Sequence, residues 1–299
     1  MSTHPASTTS PAQAKLSLLA LREKKRSGER IVMVTAYDFP SGRLADEAGV
    51  DTILVGDSAA MTVLGLDSTV PATLDDMIVL GRATVRGARR PIVVVDMPFG
   101  SYQVSDEDAV RNAIRLVKET GCDMVKVEGG TTTVSRVRAI VQAGIAVCAH
   151  IGLTPQSATL LGGYRAQGRS ATEAVSILDQ ARALEAAGAS LLVLECVPSP
   201  VSARITQQLT IPTIGIGAGP GCDGQVLVYH DLLGITEGHR PRFVKVYASA
   251  AETMRAGIAA YAAEVRSGAY PAPEHEYSMP DDELRLFEQA ASGSAPQPA

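Results

Sequence analysis

Eight short β-branched runs, each followed by a helical stretch or a loop, set the narrowest limit on how this chain folds. They are IVMVTAYD (31–38), TILVGDS (52–58), PIVVVDMPF (91–99), MVKVEGG (124–130), IAVCAHIG (145–152), LLVLECVP (191–198), IPTIGIGAG (211–219) and GQVLVYHD (224–231). Near-continuous apolar strands need cover on both faces, which helices flanking a parallel sheet supply. The stretches between them read as helices with glycine stops. SGRLADEAG ends at Gly49, TLDDMIVLGRATVRG at Gly87 and SDEDAVRNAIRLVKETG at Gly121; two more end at Gly144 and Gly188. SPVSARITQQL and ASAAETMRAGIAAYAAEVRSG are further helices, and AKLSLLALREKKRSGE is an extra one before the first strand. The connection between the last two runs is too short for an ordinary helix. Eight units in 299 residues predict a closed (β/α)8 TIM barrel, an α/β fold, rather than a doubly wound sheet. One barrel domain is expected over 15–277, with a disordered tail at 1–14 and a disordered extension at 278–299.

Barrels of this kind carry their chemistry at the carboxyl ends of the strands. Polar residues stand there in five consecutive runs: Asp57, Asp96, Glu128, His150 and Glu195. Each follows by two positions a residue expected to face the barrel interior: Val55, Val94, Lys126, Cys148 and Val193. One such residue is ordinarily a helix cap or half of a loop ion pair; five in succession are hard to explain that way. Neighbouring strands lie about 4.8 Å apart, so Asp57, Asp96 and Glu128 should converge. Three carboxylates that close repel one another unless a proton or cation intervenes. Oxygen donors suit Mg²⁺ or Mn²⁺ rather than Zn²⁺.

Within MVKVEGG, Lys126 and Glu128 share a face roughly 7 Å apart along the strand, a spacing read as too long for a tight ion pair. Each charge then needs another partner if it is buried. Glu195 lies between Leu194 and Cys196, and an apolar wall raises a carboxyl pKa towards that of a useful general base. An ion pair with Arg165 or Arg204 is the plainer alternative. His150 could serve as a ligand, an acid/base group or an orienting donor. GIGAGPG (215–221) reads as a phosphate-holding loop or a tight turn, and LLGGYRAQGRS (160–170) as a lid or an ordinary surface loop.

Other classes fit poorly. Net charge is -5, and the longest basic cluster is REKKR (22–26), so no nucleic-acid or membrane-surface partner is expected. No apolar run is long enough for a membrane span, and the first residues show no signal-peptide core. The four cysteines form no C-x-x-C pair, which points to reduced, buried thiols and a cytoplasmic protein.

Together, VGDS with DST, DMPF, MVKVEGG, HIGLTPQS with GGY and QGR, LLVLECVP, and IGIGAG with DGQ and HD resemble the ketopantoate hydroxymethyltransferase family from about Lys15 to Tyr277. The resemblance implies a barrel of the phosphoenolpyruvate/pyruvate type, assembled as a homo-oligomer, usually a decamer. It implies small-molecule substrates: 3-methyl-2-oxobutanoate, with 5,10-methylenetetrahydrofolate as one-carbon donor. It also implies one Mg²⁺ per subunit. By matched motif, Asp57, Asp96 and Glu128 fall on the metal-binding acids. Asp57, Ser58, Asp96 and Lys126 fall on the oxo-acid contacts, Glu195 on the proton acceptor and His150 on a site-lining histidine. Leu66 departs from the polar or aromatic residue usual at its position. Two other readings fit the same residues: a Mg²⁺-dependent oxo-acid lyase or phosphonomutase on this barrel, and a non-catalytic oxo-acid or folate binder.

Overall fold

The computed structural model describes residues 14–238 and 240–293. Eight parallel strands close into a barrel: β1 (Ile31–Thr35), β2 (Thr52–Val55), β3 (Ile92–Asp96), β4 (Met124–Glu128), β5 (Val147–Gly152), β6 (Leu191–Glu195), β7 (Thr213–Ile216) and β8 (Gly224–Leu227). Strand β8 pairs back onto β1, Ile31 opposite Gly224. The eight runs expected from the sequence are the eight strands.

Period-two alternation divides the core into two shells. Ile31, Met33, Leu54, Ile92, Val94, Met124, Cys148, Leu191, Val193, Ile214 and Val226 fill the interior. Val34, Ile53, Val55, Val93, Val95, Val125, Val127, Val147, Ala149, Leu192 and Leu194 face the surrounding helices. Helix α1 (Leu18–Ser27), the extra N-terminal helix, is capped by the Ser17 side chain and ends at left-handed Gly28. Its Leu21 packs with the interior shell and closes one end of the barrel.

The outer helices are α2 (Phe39–Glu47), α4 (Leu74–Gly87), α5 (Asp106–Thr120), α6 (Val134–Gln142), α7 (Ala171–Ala186) and α8 (Ser199–Gln208), with single turns α3 (Ala59–Thr62) and α9 (Tyr229–Leu232) after β2 and β8. Ser105 caps α5 and Gly121 ends it in the left-handed region, as their residue types predict. Gly87 departs from expectation. It is the last helical residue of α4, with Ala88 as the cap. A Cβ there would lie 2.4 Å from the Phe39 carbonyl oxygen, so glycine lets α2 pack closely on α4. The connection 217–223 between β7 and β8 is a loop, as its length required.

The barrel unit closes at Ala248, short of the boundary expected at 277. Residues from Ser249 form a second compact unit. It contains α10 (Ala250–Ser267), and Tyr261 and Tyr270 meet edge-on at 5.5 Å. The extension expected to be disordered carries α11 (Asp281–Ser292). Asp281, Asp282 and Glu283 sit in its first turn, where their charge complements the helix dipole. The tail expected at 1–14 lies outside the described residues except for Ala14.

Candidate active site

The strand register brings the charged residues together. Asp96 lies opposite Lys126, and Glu128 opposite His150. Their side chains point inward because they continue the parity of Val94, Met124 and Cys148. Lys126 Nζ lies 2.8 Å from Asp96 Oδ1 and 3.5 Å from Glu128 Oε1. Lys126 thus makes its tight pair with Asp96, while Glu128, expected to be too far for a tight ion pair, still comes within loose ion-pair range. Backbone spacing separates their Cα atoms, but both flexible side chains lean into the same narrow mouth.

Asp57 arrives by another route. On β2 the inward residue is Leu54 and Val55 faces the helices, so simple alternation would have turned Asp57 outward. The strand ends at Val55, and a turn through Gly56 rotates Asp57 into the mouth. Its backbone N–H donates to Asp96 Oδ2 at 3.0 Å. A Cβ at Gly56 would sit 2.8 Å from Ser58 Oγ, so any side chain there would displace the Ser58 hydroxyl. Ser58 Oγ lies 2.9 Å from the hydroxyl of Tyr37, whose pKa burial pushes up to about 12.

Carboxylate oxygens of Asp57, Asp96 and Glu128 come within 4.8 Å of one another, and all three residues are buried. His150, 2% exposed, bridges Glu128 and Glu195: Nδ1 is 3.4 Å from Glu128 Oε1, and Nε2 is 3.2 Å from Glu195 Oε2. Neither contact is aligned as a hydrogen bond, so these are ion-pair approaches. Burial and the Lys126 charge push the imidazole pKa down, but the two carboxylates outweigh them and hold it at about 9. Burial opposes Glu128 ionisation, yet Lys126 and His150 bring its pKa down to about 2. Glu195 is paired with His150 rather than with Arg165 or Arg204.

Two residues that strand logic did not single out complete the site. Gln156, in a single turn Pro155–Ser157 after β5, donates its side-chain amide to Asp57 Oδ2 at 2.9 Å and its backbone N–H to Glu128 Oε2 at 3.1 Å. Tyr102 sets its hydroxyl against the Glu128 backbone, accepting the N–H at 3.2 Å. Both lie in loops, where no periodicity marks an inward position; a glutamine just after a proline in HIGLTPQS was the available signal. At the rim, the Tyr164 hydroxyl pKa is raised by partial burial and then by the charges of Asp57, Glu195 and Glu128. The Gln167 N–H donates to the Cys196 carbonyl at 2.9 Å, which ties the 160–170 loop to the end of β6. Of GIGAGPG, Gly215 and Ile216 end β7 and the rest turns close against α8: a Cβ at Gly219 would meet Ser199 Oγ at 2.3 Å.

Asp57 is opposed by its surroundings. Burial, then Glu128 and Asp96, push its pKa well above the ordinary 3.8, against Lys126 and the Gln156 amide. A group with a raised folded pKa binds its proton more tightly when folded. The metal-free fold therefore loses stability as pH rises from near 3.8 through the raised value. Asp57→Asn is expected to raise the melting temperature of the EDTA-treated protein above neutral pH and to remove any shift caused by divalent cation. A lowered melting temperature would contradict this assignment of strain.

Three buried carboxylates thus crowd around Lys126, with the part-exposed Glu195 beyond His150. Three buried acids on hard oxygen atoms fit a divalent cation. The sequence matches the family described as ketopantoate hydroxymethyltransferase over residues 15–273. It is 55% identical over 271 residues to the 3-methyl-2-oxobutanoate hydroxymethyltransferase of Heliobacterium modesticaldum, covering 91% of this chain and 98% of that protein. It is 57% identical over 265 residues to the enzyme of the same name from Moorella thermoacetica, covering 89% and 98%. Among solved structures it resembles 2,3-dimethylmalate lyase of the PEP mutase/isocitrate lyase superfamily, with TM-score 0.54, 18% identity and coverage of 91% and 98%. It also resembles a phosphonopyruvate hydrolase solved with oxalate and Mg²⁺, with TM-score 0.56, 14% identity and coverage of 92% and 96%. Those structures share the barrel, whereas the sequence match is specific: this chain belongs to the ketopantoate hydroxymethyltransferase family.

Proposed function

We propose that the chain transfers a hydroxymethyl group from 5,10-methylenetetrahydrofolate to 3-methyl-2-oxobutanoate. The product is ketopantoate (2-dehydropantoate), and the reaction is the first committed step of pantothenate biosynthesis. The observation that carries this is the buried trio Asp57, Asp96 and Glu128, with Lys126 against it and Glu195 across His150. The trio would hold one Mg²⁺ per subunit, which supplies Lewis acidity at the keto oxygen of the oxo acid when bound.

The chain's own residues do the rest. Ser58 and Lys126 meet the oxo acid beside Asp57 and Asp96. Glu195 takes the C3 proton, leaving an enolate. Lys126 offsets charge on the substrate carboxylate or enolate oxygen. His150, between Glu128 and Glu195, orients both. The methylene carbon parts from one folate nitrogen to give an iminium, and the enolate carbon bonds to it. Water then replaces the second nitrogen and supplies the hydroxyl oxygen, so both carbon–nitrogen bonds are broken and tetrahydrofolate leaves carrying the C3 proton and one proton from water.

We place the enzyme in the cytoplasm as a homo-oligomer, a decamer. Buried free thiols at Cys122, Cys148 and Cys222 suit a reducing compartment, and no helix among the described residues is long and apolar enough to cross a membrane. The test is ketopantoate formation from both substrates with Mg²⁺. Product should require folate and cease with EDTA; folate-independent cleavage of the oxo acid would instead favour a lyase.

A further inference from the structure

Gln156 reaches several parts of the cation cluster at once. Its backbone N–H donates to Glu128 Oε2 at 3.1 Å. Its Nε2 donates to Asp57 Oδ2 at 2.9 Å and to the Met97 carbonyl at 3.0 Å. Its Oε1 accepts from the Tyr102 hydroxyl at 2.5 Å and from Gln103 Nε2 at 3.2 Å. The amide orientation follows from chemistry, since a carboxylate and a carbonyl on one side can only accept. Tyr102 accepts the Glu128 N–H at 3.2 Å, and of the two acceptors open to its one proton the Gln156 amide oxygen at 2.5 Å is nearer than the Glu128 carbonyl at 3.0 Å. The residue is buried, and Pro155 at the head of its turn stiffens the backbone beneath it.

Crowded carboxylates repel and would rotate apart if left free. A neutral group that donates to two of them from one rigid turn holds them facing inward without adding charge. We propose that Gln156 is a positioning residue that pre-organises Asp57 and Glu128 for the divalent cation, with Tyr102 locking its amide. This rests on the cation site proposed above.

The test is Mn²⁺ titrated into EDTA-stripped full-length protein, with binding read from loss of the free-ion EPR signal. Gln156→Met keeps the side chain's length and the backbone N–H to Glu128, and removes the side-chain amide that holds Asp57 and meets Tyr102. It should weaken Mn²⁺ binding about 10- to 100-fold, as loss of partners behind metal ligands does. Tyr102→Phe should weaken it by a smaller factor. A packing role alone would move the metal-free melting temperature and leave Mn²⁺ affinity unchanged, and that result in Gln156→Met overturns the proposal. If Gln156→Met does not fold, unchanged affinity in Tyr102→Phe overturns it instead. Wild-type protein that binds no Mn²⁺ removes the cation site itself and this proposal with it. The wild type therefore reports on the site, and the variants on Gln156.

Discussion

Glu195→Gln is expected to stop solvent deuterium from replacing the C3 hydrogen of 3-methyl-2-oxobutanoate in the presence of Mg²⁺ and absence of folate. A positioned general base contributes about 10²- to 10⁴-fold, and both exchange and turnover should fall within that range. The geometry is specific. Glu195 ends β6 on the inward parity of Leu191 and Val193, and its carboxylate lies 3.2 Å from His150 Nε2. The next residue, Cys196, has φ of 50°, a left-handed conformation costing about 1–2 kcal/mol outside glycine. Its N–H to the Ile216 carbonyl and its carbonyl to the Gln167 N–H hold that turn. Strain concentrated beside one carboxylate is what fixing its direction requires. Glutamine keeps the shape and removes the basicity, so oxo-acid affinity should stay within a few-fold. Undiminished exchange would place the base elsewhere.

Lys126→Met should have the larger effect on the fold. Lys126 is 4% exposed and lies against Asp96 and Glu128, with Asp57 contributing to its raised pKa. Removing one member of a buried ion pair costs about 3–5 kcal/mol, because the partners' charges remain. Without the ammonium, Asp57 and Asp96 titrate higher still, and Glu128 loses the charge that most lowers its pKa. The loss should therefore deepen as pH rises above the ordinary carboxylate range and shrink in acid. Urea denaturation of EDTA-treated protein across pH checks this, and divalent cation should restore part of the loss. A pH-independent change would mean that Lys126 acts through packing alone.

Much of this site follows from period-two alternation. Asp96, Lys126, Glu128, His150 and Glu195 extend regular strands, so a rule about strand faces finds them. Asp57 was identified although its parity was misassigned, because the turn at Gly56 replaces the alternation that would have turned it outward. Gln156, Tyr102 and Tyr37 were missed. They lie in loops or beyond strand ends, where side-chain direction depends on tertiary contacts rather than chain periodicity. The 3.5 Å approach of Lys126 to Glu128 was also hidden, since backbone spacing says little about where long side chains meet. The end of the barrel unit at Ala248 and the helix α11 turn on packing and on charge placed at a helix start, neither of which composition expresses.

Leu21 shuts one end of the barrel, and side chains from Ile31 to Val226 fill the interior behind it. Under the proposed reaction, an oxo acid resting on the buried charges would lie beneath the folate donor, so both substrates would share the mouth at the carboxyl ends of the strands.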